Sequence, residues 1–140
     1  MYKIKMDGQT LYYPGDKEAV LTNPELNLQT GYAGTLEFTI PPNNPLYDKV
    51  KNRSSMVSVF RDTTEIFYGE VRKQPKVDRY RNKNVYCAGA MSFLADSIQP
   101  QAEYHDMTPR QMLETFLDIH NNQVEDKKKI YLGVVSITDA

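Results

Sequence analysis

Alternation of apolar and polar residues, broken by short turn sequences, dominates the first 90 residues and limits them to antiparallel β-structure. Tyr2, Ile4 and Met6 alternate with lysines, and Asp7-Gly8 follows as a hairpin turn. A period of two places alternate side chains on one face of a strand, and Asp-Gly is typical of two-residue hairpin loops. The chain therefore opens with a predicted β-hairpin.

The same pattern continues through several further runs. The expected strands are Leu11–Tyr13, a looser pair within Glu18–Leu28 interrupted at Asn23-Pro24, Thr35–Ile40, Ser55–Arg61, Glu65–Arg72, Val77–Tyr80 and Asn84–Gly89. The two runs around Asp62-Thr63-Thr64 are apolar on both faces, which is typical of a barrel or a packed sheet. The pattern leaves open which face is inward. The alternatives are Met56, Phe60, Ile66 and Tyr68, or Val57, Val59, Phe67 and Val71.

Three helices are predicted. Asn44 before Pro45 indicates a short helix to about Lys51, and Met91–Ser97 is a second short helix. The clearest signal is Thr108-Pro109 with Gln111, a capping box that begins an amphipathic helix from Pro109 to about Asn121. Its apolar stripe, which we expect to pack against an apolar surface, comprises Met112, Leu113, Phe116, Leu117 and His120.

The final segment is predicted to return to β-structure, with Ile130–Leu132 and Val134–Thr138 as strands. An apolar last strand has an open edge unless it pairs with an early strand or is covered by further chain. We therefore expect an α+β, mainly β fold, with a barrel or packed sheet in the first region and one amphipathic helix in a second region that begins at Gln99-Pro100.

Composition excludes several classes of protein. The 140 residues carry a formal net charge of -1, without the positive surplus typical of nucleic-acid binders. With a mean hydropathy of -0.60, no apolar run approaches the length of a membrane-spanning helix, and the polar start is not a secretory signal. The single cysteine, Cys87, excludes an intramolecular disulfide.

Candidate catalytic groups are few. Cys87 lies in an alternating strand and is interpreted as a structural thiol, and His105-Asp106 beside Glu103 as a polar loop before the helix cap. His120 lies on the apolar stripe near the end of the helix, where it suits a packing or capping role. No phosphate-binding glycine loop occurs in the sequence. We therefore assign no catalytic, cofactor-binding or metal-binding residue and no cofactor.

Two surface features bear on binding. The stretch from Arg72 to Lys83 is rich in Lys and Arg, contains Tyr80 and is followed by Tyr86. This composition fits a platform for single-stranded nucleic acid. It also fits a pair of exposed strands whose Lys and Arg side chains prevent edge-to-edge pairing. Ten tyrosines without a tryptophan fit either a protein interface or ordinary strand packing.

Several segments together resemble one family of phage proteins. The segments are Leu36–Asp48, Val59–Asp62, Ile66–Val71, Cys87–Gly89, Phe93–Ser97 and Thr108–Arg110. In order and spacing they are similar to the N-terminal hub region of siphophage and prophage tail-associated proteins, which include prophage tail endopeptidases and phage minor structural proteins. The similarity runs from Tyr2 to about Asp139.

The resemblance implies an antiparallel β-barrel hub domain over residues 1–97, like that of a contractile-phage baseplate, followed over residues 98–140 by the start of an α/β domain with one amphipathic helix. It also implies a homotrimer at the virion tail tip, assembled after synthesis in the bacterial cytoplasm. Its implied partners are further copies of the chain, the distal tail protein and the tape-measure protein, with DNA only passing through the channel and no membrane. Family members continue for several hundred residues, so this chain is interpreted as truncated, and any hydrolase module is expected after Ala140. A cell-wall peptidase or glycosidase, or a carbohydrate- or nucleic-acid-binding barrel, are the alternatives.

Overall fold

The computed structural model describes residues 1–137 and divides the chain into two compact units, Met1–Met91 and a second from Ser92 onward. The sequence interpretation had set the domain boundary after residue 97. Each unit is described by itself.

The first unit is an antiparallel sheet curled into a half-barrel, so the expected mainly β architecture is confirmed. Its strands are β1 (Tyr2–Met6), β2 (Gln9–Tyr12), β3 (Thr22–Asn27), β4 (Thr35–Ile40), β5 (Met56–Arg61), β6 (Thr64–Val71), β7 (Lys76–Val77) and β8 (Lys83–Gly89). The order across the sheet is β2-β1-β5-β6-β8-β4-β3, and β7 pairs with β8. The predicted hairpins β1–β2, β5–β6 and β7–β8 are thus all present.

The strand register decides which face of β5 and β6 is inward. Val59 lies opposite Phe67, and Val57 opposite Gly69. Val57, Val59, Phe67 and Val71 are buried in the core, so the second of the two alternatives is correct. Three predicted elements are wrong in extent. The strand predicted over Val77–Tyr80 is only Lys76–Val77, because Arg79 and Tyr80 form the turn that follows it. Residues 18–21 are not a strand, because β3 is one strand running through Asn23-Pro24, and the helix after Pro45 is only a 3-10 turn, Tyr47–Lys49.

The close approach of the loop before β4 to β8 requires glycine at the end of β8. A Cβ built on Gly89, the last residue of β8, would lie 1.7 Å from the main-chain oxygen of Ala33. No side chain fits at that separation, so the loop before β4 can approach β8 only at glycine.

The second unit contains a 3-10 helix that begins in the first unit (Ala90–Asp96), the helix α1 (Pro109–Asn121) and a 3-10 turn (Asp126–Lys128). The predicted capping box is confirmed: Gln111 donates its N–H to the Thr108 hydroxyl, and Thr108 donates its N–H to the Gln111 side chain. The predicted strands are wrong, because residues 130–137 form no strand. Thr138, the last residue of the second one, lies outside the described residues.

The apolar stripe of α1 is less buried than expected. His120 is the buried residue of the helix, whereas Met112 and Leu113 are exposed and Phe116 and Leu117 are half-buried. Tyr104 covers part of the stripe, because its ring contacts Phe116 edge to face at 5.7 Å. Over residues 1–137, no helix has the length and apolar content needed to cross a membrane.

Candidate functional site

One concave surface of the first unit is an apolar groove with a volume of about 790 Å³. It lies where strands from the two ends of the sheet order come together, since both β2 and β3 contribute to it. We call it the seam groove. One wall is formed by Tyr2, Ile4, Val59 and Arg61, and the other by Pro24, Leu26, Leu28 and Leu36.

Register explains how residues distant in sequence form these walls. On one side β1 pairs with β5, placing Tyr2 opposite Arg61 and Ile4 opposite Val59. On the other side β3 pairs with β4, placing Leu26 opposite Leu36. Ile4, Leu36 and Val59 belong to the buried core, whereas Tyr2 is 53% and Leu28 56% exposed. The groove therefore has an apolar floor continuous with the core and an exposed rim.

The two terminal strands of the sheet, β2 and β3, differ in the contacts that they make. The buried Asn44 donates its amide protons to the main-chain oxygens of Leu11, on β2, and of Val20, in the loop before β3. The Asn44 side-chain oxygen accepts from the Leu46 N–H, so every polar atom of this amide is bonded. No strand among residues 1–137 pairs with the outer side of β3. Asn44 thus bonds part of β2, whereas β3 has an open edge within the described residues.

Charge around the seam groove is sparse. Arg61 is its single charged lining residue. The neighbouring Asp62 is held by the Met1 α-ammonium at 2.9 Å. That hydrogen bond, with the attraction of the same ammonium, lowers the pKa of the Asp62 carboxyl. A ligand that fits the groove would be mainly apolar, with an anionic group placed near Arg61.

Cys87 lies in β8 and is fully buried in the core. Burial raises the pKa of its thiol to about 12. Because the thiolate is the nucleophilic form of cysteine, a thiol with so high a pKa is inert near neutral pH. This geometry is what a packing role requires.

His105 and Asp106 lie on the surface of the second unit. The His105 ring contacts the Glu103 carboxylate at 2.9 Å, and both side chains are largely exposed. Asp106 occupies the left-handed region with φ 53°, which suits a loop position. Among residues 1–137, no group of three or more His, Cys, Asp or Glu side chains is arranged to hold a metal ion.

A serine–histidine contact was missed by the sequence analysis. The Ser97 hydroxyl lies 2.7 Å from Nδ1 of His120, and Nε2 lies 3.1 Å from the main-chain oxygen of Lys128. A carbonyl can only accept, so Nε2 carries a proton and donates it. Both ring nitrogens of a buried imidazole are therefore engaged. The two partners are 23 positions apart in the sequence, so no local motif could have revealed this contact.

The basic hairpin around β7 is exposed, but its aromatic rings are already in contact with cations. The Lys73 ammonium lies 4.2 Å from the Tyr86 ring centroid, and the Arg79 guanidinium 4.7 Å from that of Tyr80. Lys83 lies 4.0 Å from the ring of Tyr47 and donates to the main-chain oxygen of that residue at 2.7 Å. These contacts cover one face of each ring, where a nucleobase would stack on a single-strand platform.

The seam groove was not anticipated as a site, because its lining comes from six strands and a loop spread over the first 66 residues. The alternation of Tyr2 with Ile4 predicted a shared face but not the opposing wall. Compared with known proteins, the chain matches no protein-family model, no curated protein and no solved structure.

Proposed function

We propose that the chain is a structural, non-enzymatic component of a phage or prophage tail tip: the N-terminal part of a trimeric hub that docks on the distal tail ring and forms part of the channel. The observation that carries the proposal is a curled antiparallel sheet with one open edge and an exposed apolar groove beside it. Such a surface suits assembly with other polypeptides. The family resemblance of the sequence supplies the identity of the assembly.

Charge supports the channel role. The chain has 17 basic and 18 acidic residues, so a passing polyanion would meet a wall without a large positive surplus. A strongly basic wall would bind DNA and retard its passage. The proposed partners are further copies of the chain, the distal tail protein and the tape-measure protein, with DNA only in transit.

Location in the virion is the direct test. Antibodies raised against the purified chain are applied to tails of the phage or prophage that encodes it, and gold label is expected at the distal end. Binding of the chain to the purified distal tail protein is expected in the same system. Absence of the chain from purified particles, with the chain present in the lysate, would contradict the proposal.

The hydrolase alternative makes a different prediction. Incubation of the chain with host peptidoglycan is expected to release no soluble fragments, because the His120 ring beside Ser97 is fully buried and so cannot reach the leaving group of a polymeric substrate. Release that disappears in Ser97→Ala would instead establish Ser97 as a nucleophile and overturn the structural role.

The third alternative concerns the basic hairpin. Binding of a single-stranded oligonucleotide or a glycan is expected to be weak, because the Tyr80 and Tyr86 rings each have a cation over one face. Tight, salt-dependent oligonucleotide binding lost in Tyr80→Ala would favour a nucleic-acid-binding barrel.

A further inference from the structure

We infer that the seam groove binds residues 132–139 of a second copy of this chain, which we call the donor segment. The inference extends the proposed assembly role. It rests on that role because the proposed ring consists of identical copies of the chain. It joins two features of the structure that have no partner within the part described: an apolar groove beside an open strand edge, and an exposed apolar segment.

The described part of the donor segment is unusually apolar for exposed chain. Val134 is 98% and Ile137 65% exposed, and residues 130–137 form no strand. β-Branched residues dominate it, as Val134, Val135, Ile137 and Thr138 show. Such residues favour a pleated, half-buried surface and gain little from extended structure in water. The segment therefore has strand-forming side chains without a sheet.

The groove offers the complementary surface. Its walls at Leu26 and Leu28 adjoin the open edge of β3, so a segment lying there can pair with main-chain groups while its alternate side chains enter the groove. Within β3, Pro24 has no main-chain N–H to donate, and the register with β4 shifts between Thr22 and Glu25. Pairing is therefore expected over Glu25 to Leu28, which suits a short segment.

Charge favours this occupant over a purely apolar one. Arg61 is the one charged residue lining the groove, and Asp139 is the one charged side chain that follows Lys129. An ion pair near the protein surface contributes little to affinity, so this one is expected to fix the direction of the segment and not to dominate its binding. Because the donor and groove surfaces differ, the contact is head to tail, and repetition gives a ring if the rotation closes.

Peptide binding tests the contact. A fluorescent peptide of residues 132–139 is titrated into the full chain carrying Val134→Asp and Ile137→Asp, which disables its own donor segment. Saturable binding is expected, with affinity reduced about tenfold or more by Leu28→Asp, a rim residue that a folded chain tolerates. A peptide with both substitutions is the matched control. Absence of binding, or binding unaffected by Leu28→Asp, would overturn the inference.

Exchange of the two charges distinguishes a specific contact from non-specific apolar binding. Arg61→Glu is expected to weaken the peptide by about threefold, and a peptide carrying Asp139→Lys is expected to restore affinity to that variant alone. Equal affinity of both peptides for both receptors would place Asp139 away from Arg61 and overturn the assigned direction. If a long-chain alkyl carboxylate binds the groove and the peptide does not, the occupant is a small amphiphile.

Cysteine pairing distinguishes a second copy from the same chain. A mixture of Val135→Cys and Leu28→Cys chains is expected to give a disulfide-linked heterodimer, whereas Val135→Cys mixed with Tyr80→Cys, an exposed hairpin position, gives none. The native Cys87 is buried and does not compete. Cross-linking within a single chain carrying both cysteines, at a yield independent of concentration, would overturn exchange between copies.

These outcomes are separable from the proposed function. If the peptide does not bind but the chain is found at the tail tip, this inference fails and the hub role remains. If the peptide binds but the chain is absent from virions, the hub role fails and exchange between copies remains.

Discussion

The two units of this chain are stabilised by different means. The first has a continuous apolar core of 15 buried residues drawn from every long strand except β3 and from the loops at one end of the half-barrel. Between Ser92 and Ile137, by contrast, only Phe93 and His120 are buried. Burial of apolar area is the dominant favourable term in folding, so the second unit depends more heavily on its hydrogen bonds.

Three side chains at the end of α1 provide those bonds, and we call them the polar clasp: His120, Asn121 and Gln123. Asn121 donates to the main-chain oxygen of Ile130 and accepts from its N–H, at 2.8 and 2.9 Å. Gln123 does the same to Ile98 at 2.8 and 2.9 Å. Each side-chain amide thus bonds both the N–H and the C=O of one residue, as a neighbouring strand would. It holds in place a segment that belongs to no sheet.

The comparison shows that order does not require a large core. A clasp positions the main chain but covers little apolar surface, which is why Val134 and the stripe of α1 remain accessible. The half-barrel buries its apolar side chains and leaves one groove. The first unit is therefore suited to be the stable scaffold, and the second to present surface.

Substitution in the apolar core is expected to have the largest effect. Ile40→Ala removes three buried carbons from a fully buried site and should lower the free energy of unfolding of the first unit by about 2–5 kcal/mol. Urea denaturation, followed by alkylation of Cys87, measures this loss. Val77→Ala, in the exposed strand β7, is the matched control and should change it by less than about 0.5 kcal/mol. Equal losses of unfolding free energy in Ile40→Ala and Val77→Ala would contradict the claim that the apolar core stabilises the first unit.

Loss of the clasp histidine is expected to act on the second unit alone. His120→Ala leaves the Lys128 carbonyl and the Ser97 hydroxyl without this partner, at a cost of about 2 kcal/mol. Amide hydrogen exchange near Ile130 should accelerate while Cys87 alkylation stays slow. His105→Ala, the exposed histidine, should leave both rates unchanged. Faster alkylation of Cys87 in His120→Ala would show that the two units unfold together.

Sequence patterns predicted the local elements of this fold well. Hairpins and the helix start are fixed by neighbours in the chain, as Asp7-Gly8 and the Thr108 capping box show. The inward face of β5 and β6 stayed open, because Phe60 and Val59 are both apolar and only the register with β1 and β6 decides between them.

Features that depend on distant partners could not be predicted. Residues 130–137 have strand-forming side chains but no sheet edge to pair with in the described structure, so propensity alone gave the wrong answer. The seam groove likewise requires Leu28 and Arg61 to face one cavity, and no local signal places them there. The polar clasp was missed because amides at Asn121 and Gln123 resemble an ordinary helix end.

Alkaline pH is expected to destabilise the first unit through Cys87. The unfolded thiol ionises near pH 8.5, whereas the folded thiol, whose pKa burial raises to about 12, stays protonated. The contribution is therefore fully present below about pH 8.5 and declines by about 1.4 kcal/mol per pH unit until the folded pKa is reached. Unfolding free energies between pH 8 and 10, compared with those of Cys87→Ala, isolate this slope. Parallel curves for the two proteins would contradict it.

Removal of the helix cap is expected to have the smallest effect and to sharpen the contrast between clasp and cap. Thr108→Ala deletes the hydroxyl that accepts from the Gln111 N–H at 3.2 Å and should cost about 1 kcal/mol. Thr108→Ser keeps the hydroxyl and should retain most of the stability. Because the clasp holds the opposite end of α1, amide exchange should accelerate in the first turn and remain slow near His120. Uniform acceleration along the helix would show that the clasp alone cannot hold α1 in place.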